Sequence, residues 1–392
     1  MVAAGPERQF LVHCSNAVAA ARAPALFVTS DFCRRPGFGR HHPLSIARVS
    51  AVLELCGALG WLDERCSRMS RVATLPELKS FHAPAYVDAL RESDAAGRVE
   101  PAVRERYGFG NFENPLFAGV FERAATAVGG SILAAELALE GRVAFHPAGG
   151  THHGRRDRAS GFCYFNDPVF AIRRLLEAGV ARVLYVDLDA HHGDGVQEAF
   201  LDEPRVRMVS IHEQGRWPYT GAADDCGHGF ARNLPVPAGF NDSELRFLLE
   251  AVVLPLATAF APEAVVVTCG TDALAGDPLP GMALSNVALW DAVERLIGDT
   301  VPAVVLGGGG YNPWTLARCW TGLWGRLSGR EVLMELPVAA QSILRSLECD
   351  LVDDEDVEAS WLATLVDVPR SGVVRAEVKS LASQGRALHG MA

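Results

Sequence analysis

The densest concentration of chemistry in this sequence is the run Asp187-Leu188-Asp189-Ala190-His191-His192-Gly193-Asp194-Gly195. It follows the apolar stretch 183–188. On a strand that continued extended, Asp187, Asp189 and His191 would share one face, because side chains alternate with period two. Two carboxylates and an imidazole converging at a sheet edge repel one another and lose hydration unless protons or a cation compensate. A divalent metal is the economical answer. Ordinary caps and turns also use Asp and Gly, but they need neither adjacent histidines nor an apolar strand before them. A third ligand should come from a different strand end, and Asp272 in Cys269-Gly270-Thr271-Asp272 is the best candidate. Asp189, His191 and Asp272 would form a nitrogen and oxygen set of three with a position open to water, as a catalytic zinc requires.

A second pair of adjacent histidines, His152 and His153, follows Gly149-Gly150-Thr151. Asp187 and Asp194 remain once the ligands are assigned, and a carboxylate beside an imidazole fixes its tautomer and raises its basicity. Two such pairs next to a metal point to general-base hydrolysis. Gly307-Gly308-Gly309-Gly310-Tyr311 lacks the Lys-Ser/Thr ending of a phosphate-binding loop, and no GxGxxG follows a strand, which argues against nucleotide binding. Its glycines would instead let the backbone pass close to the site and turn Tyr311 inward, as a hydroxyl donor to a developing oxyanion.

These residues need a scaffold that brings separate loops together. Short apolar stretches at 143–145, 183–188, 206–211, 264–268 and 303–306 each precede a polar loop, and helical patterns occupy 169–178, 242–260 and 285–298. Near-continuous Val, Leu and Ile in short strands predict a parallel sheet covered on both faces, with ligands outside the carboxyl ends of its strands. The N-terminal third reads as mainly helical, at 43–59 and 84–90, and the tail after about 330 as surface helices with a solvated acidic run at 353–356.

Composition narrows the function. The 392 residues carry 36 Lys and Arg against 47 Asp and Glu, a net charge of −11. Without a basic run, direct nucleic-acid binding is disfavoured, while cationic substrates fit. The nine cysteines include no CxxC pair, which suits a reducing, cytoplasmic setting and leaves His and Asp as metal ligands. Glu7, Arg8, His13, Asn16 and Arg22 interrupt any export-signal core, and no run of about 18 apolar residues predicts a membrane span.

Taken together, five motifs resemble the histone deacetylase family, in particular bacterial acetoin-utilisation deacetylases and the class I enzymes. They are Gly149-Gly150-Thr151-His152-His153-Gly154, Ala159-Ser160-Gly161-Phe162-Cys163-Tyr164-Phe165-Asn166-Asp167, the run from Val186 to Val196, Gly270-Thr271-Asp272 through Gly276-Asp277-Pro278, and Gly307 to Asn312. The likeness covers about 27–323 and includes His42-Pro43 and Phe81-His82, so it implies a single deacetylase domain over 1–392 with a C-terminal extension from about 330. It also implies the arginase-deacetylase fold, a three-layer α/β/α arrangement around a parallel eight-stranded sheet. By position, Asp189, His191 and Asp272 look like ligands of zinc, with ferrous iron as the alternative. His153 with Asp194 looks like the general base and later acid, His152 with Asp187 like an electrostatic pair, and Tyr311 like the oxyanion donor. Gly161, Phe162, Trp217 and Gly309 match substrate-binding positions, the first three lining an acyl-lysine tunnel. Asp187, Asp189, His191, Ser210 and Ile211 match the segments that hold a structural potassium ion. In two places the chain departs from the family pattern: Glu113 stands where relatives carry Asp to grip the substrate backbone, and the loop around Trp217 differs from the usual Phe-Pro-Gly form.

The activity so implied is hydrolysis of acetyl-lysine in peptides or proteins. An acetylpolyamine amidohydrolase and a silent acyl-lysine binding module are the alternatives, and an oligomer is compatible with either. A two-metal site of the arginase type needs a carboxylate two residues past the ligand histidine, where this chain has Gly193.

Overall fold

The computed structural model describes residues 23–35, 37–298 and 302–388; the stretch 1–22, where the export-signal reading falls, lies outside them. Eight strands form one sheet: β1 (Leu26–Thr29), β2 (Ser67–Met69), β3 (Val143–His146), β4 (Val183–Asp187), β5 (Val206–Glu213), β6 (Ala231–Val236), β7 (Ala264–Thr268) and β8 (Ala303–Leu306). Their order is β2-β1-β3-β8-β7-β4-β5-β6, and every pairing is parallel. Helices cover both faces, which is the three-layer architecture expected above.

Alternation along β4 shows why both faces must be covered. Leu184 and Val186 enter the core shared with helices Val49–Ala58, Asn286–Ile297 and Pro313–Leu327, whereas Val183 and Tyr185 enter the core under Val120–Leu139 and Asp167–Glu177. Burying each such side chain contributes roughly 1.5–3 kcal/mol. The indoles within the larger core remain satisfied, since Trp290, Trp320 and Trp324 donate to the carbonyls of Cys319, Cys269 and Trp61.

Three strands escaped the sequence pattern. β1 and β2 are short, and β6 carries Arg232, Asn233 and Pro235; proline is tolerated there because β6 is an edge strand. The helical stretch 242–260 contains a π-helical turn, Leu249–Val253, immediately before Pro255, where the missing N–H and the ring disturb the regular ladder. The tail differs more from expectation. Its acidic run is exposed, but Trp361, Leu365 and Val378 are buried in the main core, and helix Ala376–Leu388 packs against β6. Among the described residues no helix is long and apolar enough to cross a membrane.

The four central strands end level. His146 of β3 lies beside Leu306 of β8, Leu306 beside Thr268 of β7, and Thr268 beside Asp187 of β4. Loops leaving these four ends therefore start from one line, and they carry the histidines, carboxylates and tyrosine singled out above.

Candidate metal centre and catalytic site

The strand does not continue extended past Asp187, so the alternation argument fails in its geometry. The chain instead bends through two successive side-chain-to-backbone turns, in which Asp187 Oδ1 accepts the N–H of Asp189 (3.1 Å) and Asp189 Oδ1 accepts that of His191 (2.9 Å). This bend turns Asp189 and His191 toward Asp272 on the β7 loop and sends Asp187 the other way, to His152. His191 Nδ1 lies 3.2 Å from Asp189 Oδ1 and 2.9 Å from Asp272 Oδ2, and one donor atom from each of the three residues falls within 4.8 Å of the others. Both carboxylates are fully buried. Among the described residues their direct partners are imidazoles and backbone N–H groups, never lysine or arginine.

That donor set fits a divalent cation. Two buried carboxylates demand positive charge, and in the metal-free chain the demand falls on His191: burial alone would lower its pKa, but Asp189 and Asp272 outweigh it and push the imidazole up to about 10. Burial, together with the charge of Asp189, pushes the Asp272 carboxyl up. The glycine run keeps other side chains out of this space. A Cβ on Gly309 would lie 2.1 Å from Asp272 Oδ2, and one on Gly308 2.8 Å from Asp189 Oδ2. Gly309 lines the cavity beside the site, and its own N–H donates to Asp189 Oδ2 (2.5 Å) while its carbonyl accepts from Thr271 (2.9 Å).

The two histidine pairs form as separate units. His152 Nδ1 is 2.7 Å from Asp187 Oδ2, and His153 Nδ1 is 2.8 Å from Asp194 Oδ1. Asp187 is also bonded by the Tyr185 hydroxyl (2.8 Å), whereas Asp194 is bonded by Arg155. The environments push the two rings apart. For His152, burial lowers the pKa, but Asp187 and Asp189 overcome it and raise it to about 9. Burial, reinforced by the neighbouring His152, lowers that of His153 to about 3. The two neighbouring rings are thus pushed in opposite directions, His152 toward the protonated form and His153 toward the neutral one.

A cavity of about 410 Å³ reaches these groups, lined among others by Gly161, Phe162, His153 and Tyr311. The Phe162 ring meets Tyr311 edge-on at 6.0 Å, and Trp217 lies edge-on against His153 at 4.6 Å. Gly161 is required by this packing: its φ is +55°, and a Cβ there would lie 2.3 Å from the Trp217 ring. Glu113 folds back onto this wall, its carboxylate accepting the N–H of Gly161 at 2.5 Å. At the segments matched to potassium, Ser210 stands opposite Asp187 in the sheet and bonds His212, while the Ile211 side chain enters the core, so only its backbone could face an ion.

Two contributors were given no role by the sequence, although Asp277 stands in one of its motifs. Arg48 precedes a helix in a segment without polar periodicity, yet its guanidinium donates to the carbonyls of Gly308 (2.5 Å) and Gly310, stiffening the glycine run. Asp277 accepts the N–H of Tyr311 at 2.7 Å, and burial next to Asp272 pushes its carboxyl up to about 7.

Known proteins are similar to this chain over most of its length. The family model described as the histone deacetylase domain matches residues 42–327. The chain is 37% identical to histone deacetylase 8 of Xenopus tropicalis over 298 residues, covering 74% of this chain and 80% of that protein. It is 33% identical to acetoin utilization protein AcuC of Bacillus subtilis (strain 168) over 329 residues, covering 80% and 84%. The crystal structure of an HDAC homolog from Aquifex aeolicus matches with a TM-score of 0.88 at 39% identity, covering 93% of this chain and 100% of that one. An HDAC homolog complexed with SAHA gives the same TM-score at 38% identity. Sequence and fold agree that this chain is a hydrolase belonging to the histone deacetylase family.

Proposed function

We propose that this protein is a zinc-dependent deacetylase that hydrolyses the amide of N-acetylated lysine, in a peptide or protein, to acetate and the free amine. The observation that carries the reading is the meeting of Asp189, His191 and Asp272, from two different strand ends, beside two buried histidine–carboxylate pairs. Zinc held by these three side chains would polarise the acetyl carbonyl and lower the pKa of a bound water toward ~7. The chain's own groups divide the remaining work. His153 has Nδ1 committed to Asp194, which leaves Nε2 to take the proton from the attacking water and later deliver it to the leaving amine. His152, bonded to Asp187 and pushed toward its protonated form, favours negative charge developing nearby. The Tyr311 hydroxyl donates to the oxyanion, and Phe162 with Gly161 and Trp217 confines the acyl-lysine stem.

Support for an acyl-amine substrate comes from the homologue complexed with SAHA. The same oxygen and nitrogen ligands suit ferrous iron. A structural potassium ion near Asp187 and Ser210, a single deacetylase domain, and a cytoplasmic setting consistent with the free Cys56, Cys163, Cys269 and Cys319 complete the reading. Turnover of acetyl-lysine peptides, longer acyl-lysine peptides and acetylpolyamines on purified, metal-quantified enzyme tests it. The expected result is the highest kcat/KM on acetyl-lysine peptides. A preference for acetylpolyamines would move the substrate to small acyl-amines, and acetate release no faster than that of Asp272→Asn would leave only an acyl-lysine binding module.

A further inference from the structure

We propose that Asn166 and Asp167 are positioning residues that aim His152 and His153 by gripping the backbone on either side of them; this rests on the roles given to those histidines above. The segment 150–154 lies outside helix and strand, so nothing regular fixes the direction of its side chains. Groups from elsewhere must hold it.

Asn166 grips one end. Its Nδ2 donates to the carbonyls of His152 (3.1 Å) and Gly154 (2.9 Å), which flank His153. Its backbone N–H donates to His82 Nε2 (3.1 Å), which leaves His82 Nδ1–H to donate to the carbonyl of Arg155 (3.0 Å). Asp167 grips the other end. Its carboxylate accepts the N–H of Gly150 (3.0 Å) and of Thr151 (2.7 Å), and the Ser131 hydroxyl donates to it at 2.5 Å. Asn166 and Asp167 are wholly buried, and His82 nearly so. On the side of Asn166 the loop also meets the segment that follows His192, since a Cβ on Gly195 would lie 2.7 Å from the carbonyl oxygens of both His152 and Gly154 and 2.8 Å from Asn166 Nδ2.

Helix capping does not account for these contacts. Asn166 caps helix Asp167–Glu177 through Oδ1 alone, which accepts the N–H of Val169 at 3.3 Å, and Ser, Thr or Asp would cap as well. Only an amide adds two donors, and both are spent on the histidine loop. Displacing a proton-transfer group by 1 Å can slow a reaction about 100-fold.

The variant Asn166→Ser keeps the cap acceptor and removes both donors. The expected result is wild-type metal content per chain, KM within about twofold, and kcat lowered about 10-fold or more. The imidazole ¹⁵N resonances of His152 and His153 should shift, while those of His212, held by Ser210 and Gly221, stay in place. Unmoved resonances, or a folded variant with kcat within about twofold of wild type, would overturn the proposal. If this variant does not fold, Asp167→Asn, which withdraws the charged acceptor from Gly150 and Thr151, is read by the same measurements. Should the wild-type protein release acetate from no acyl-amine, the proposed function falls separately, and the imidazole resonances still decide the positioning role.

Discussion

Buried charge is handled in opposite ways at the two ends of this molecule. Under the C-terminal segment the buried carboxylates Glu244 and Asp242 meet groups of the chain that satisfy them. Glu244, whose side chain is fully buried, takes both branches of the Arg375 guanidinium at 2.7 Å, and Asp242 accepts from Ser285 and from the N–H of Arg370. The fully buried Arg318 meets Asp367 at 2.7 Å. At the carboxyl ends of β4 and β7, Asp189 and Asp272 instead converge on each other, with a single imidazole between them. Buried charge that is neutralised internally builds a scaffold, whereas buried charge of one sign gathered at a point builds a site for an ion.

Four experiments can break or sharpen that contrast, taken from the largest expected effect. Asp272→Asn should strip the metal, read by metal content per chain, and lower acetate release by ~10³-fold or more, beyond the ~10–100-fold typical of a group that only supports a ligand. Retention of both metal and turnover would show that Asp272 is scaffold after all. Tyr311→Phe should lower kcat by ~10²-fold with metal content unchanged, because it removes one donor to the oxyanion. Turnover near wild type in that variant would remove Tyr311 from the mechanism.

Arg375→Ala should do the reverse of both. It leaves Glu244 buried without its partner, at a cost of about 2–3 kcal/mol, below the usual ~3–5 for a broken buried pair because Arg375 itself is 34% exposed. Metal content and kcat of the folded protein should not change. Glu244 opposes its own burial through Arg375, which holds its carboxyl below the ordinary range. A depressed folded pKa means that the stabilisation is complete above the unfolded value near ~4.3 and is lost as pH falls below it. The gap in urea stability between wild type and Arg375→Ala should therefore be full at pH 7 and shrink under acid; a gap independent of pH would contradict the ion pair. The smallest signal is a proton count. Because Asp189 and Asp272 hold the His191 imidazole at about 10 in the metal-free chain, zinc binding at pH 7 should release about one proton. Calorimetry in two buffers of different ionisation enthalpy reads this directly, and zero release would mean that His191 is already neutral.

Much of the site was legible because its residue types are rare in combination. His152 and His153 after a glycine pair, or Asp189 and His191 after an apolar strand, have few structural uses together. The geometry was less legible. The bend after Asp187 depends on side-chain-to-backbone bonds that strand periodicity does not encode, so the alternation that put Asp187, Asp189 and His191 on one face did not hold, although the pairing of Asp187 with His152 did. The roles of Arg48 and of Asp277, the latter in a motif, were hidden because their partners are backbone groups more than 30 residues away. The tail was read as surface from its acidic run at 353–356, whereas the burial of Trp361 and Leu365 just after that run follows from what covers them.

By itself the sequence determined the fold class, through apolar strands alternating with helices, and the kind of chemistry, through His, Asp and Tyr placed just past strand ends. Those are local properties, fixed by the period of side-chain direction and by the donor set each residue type carries. Only the tertiary structure decided how the chain bends after Asp187, that four strand ends stand level, and that two neighbouring buried histidines are pushed in opposite directions. Such features depend on distances between residues remote in the chain and on the low dielectric that packing creates around them, and neither exists until the sheet has closed over its two cores.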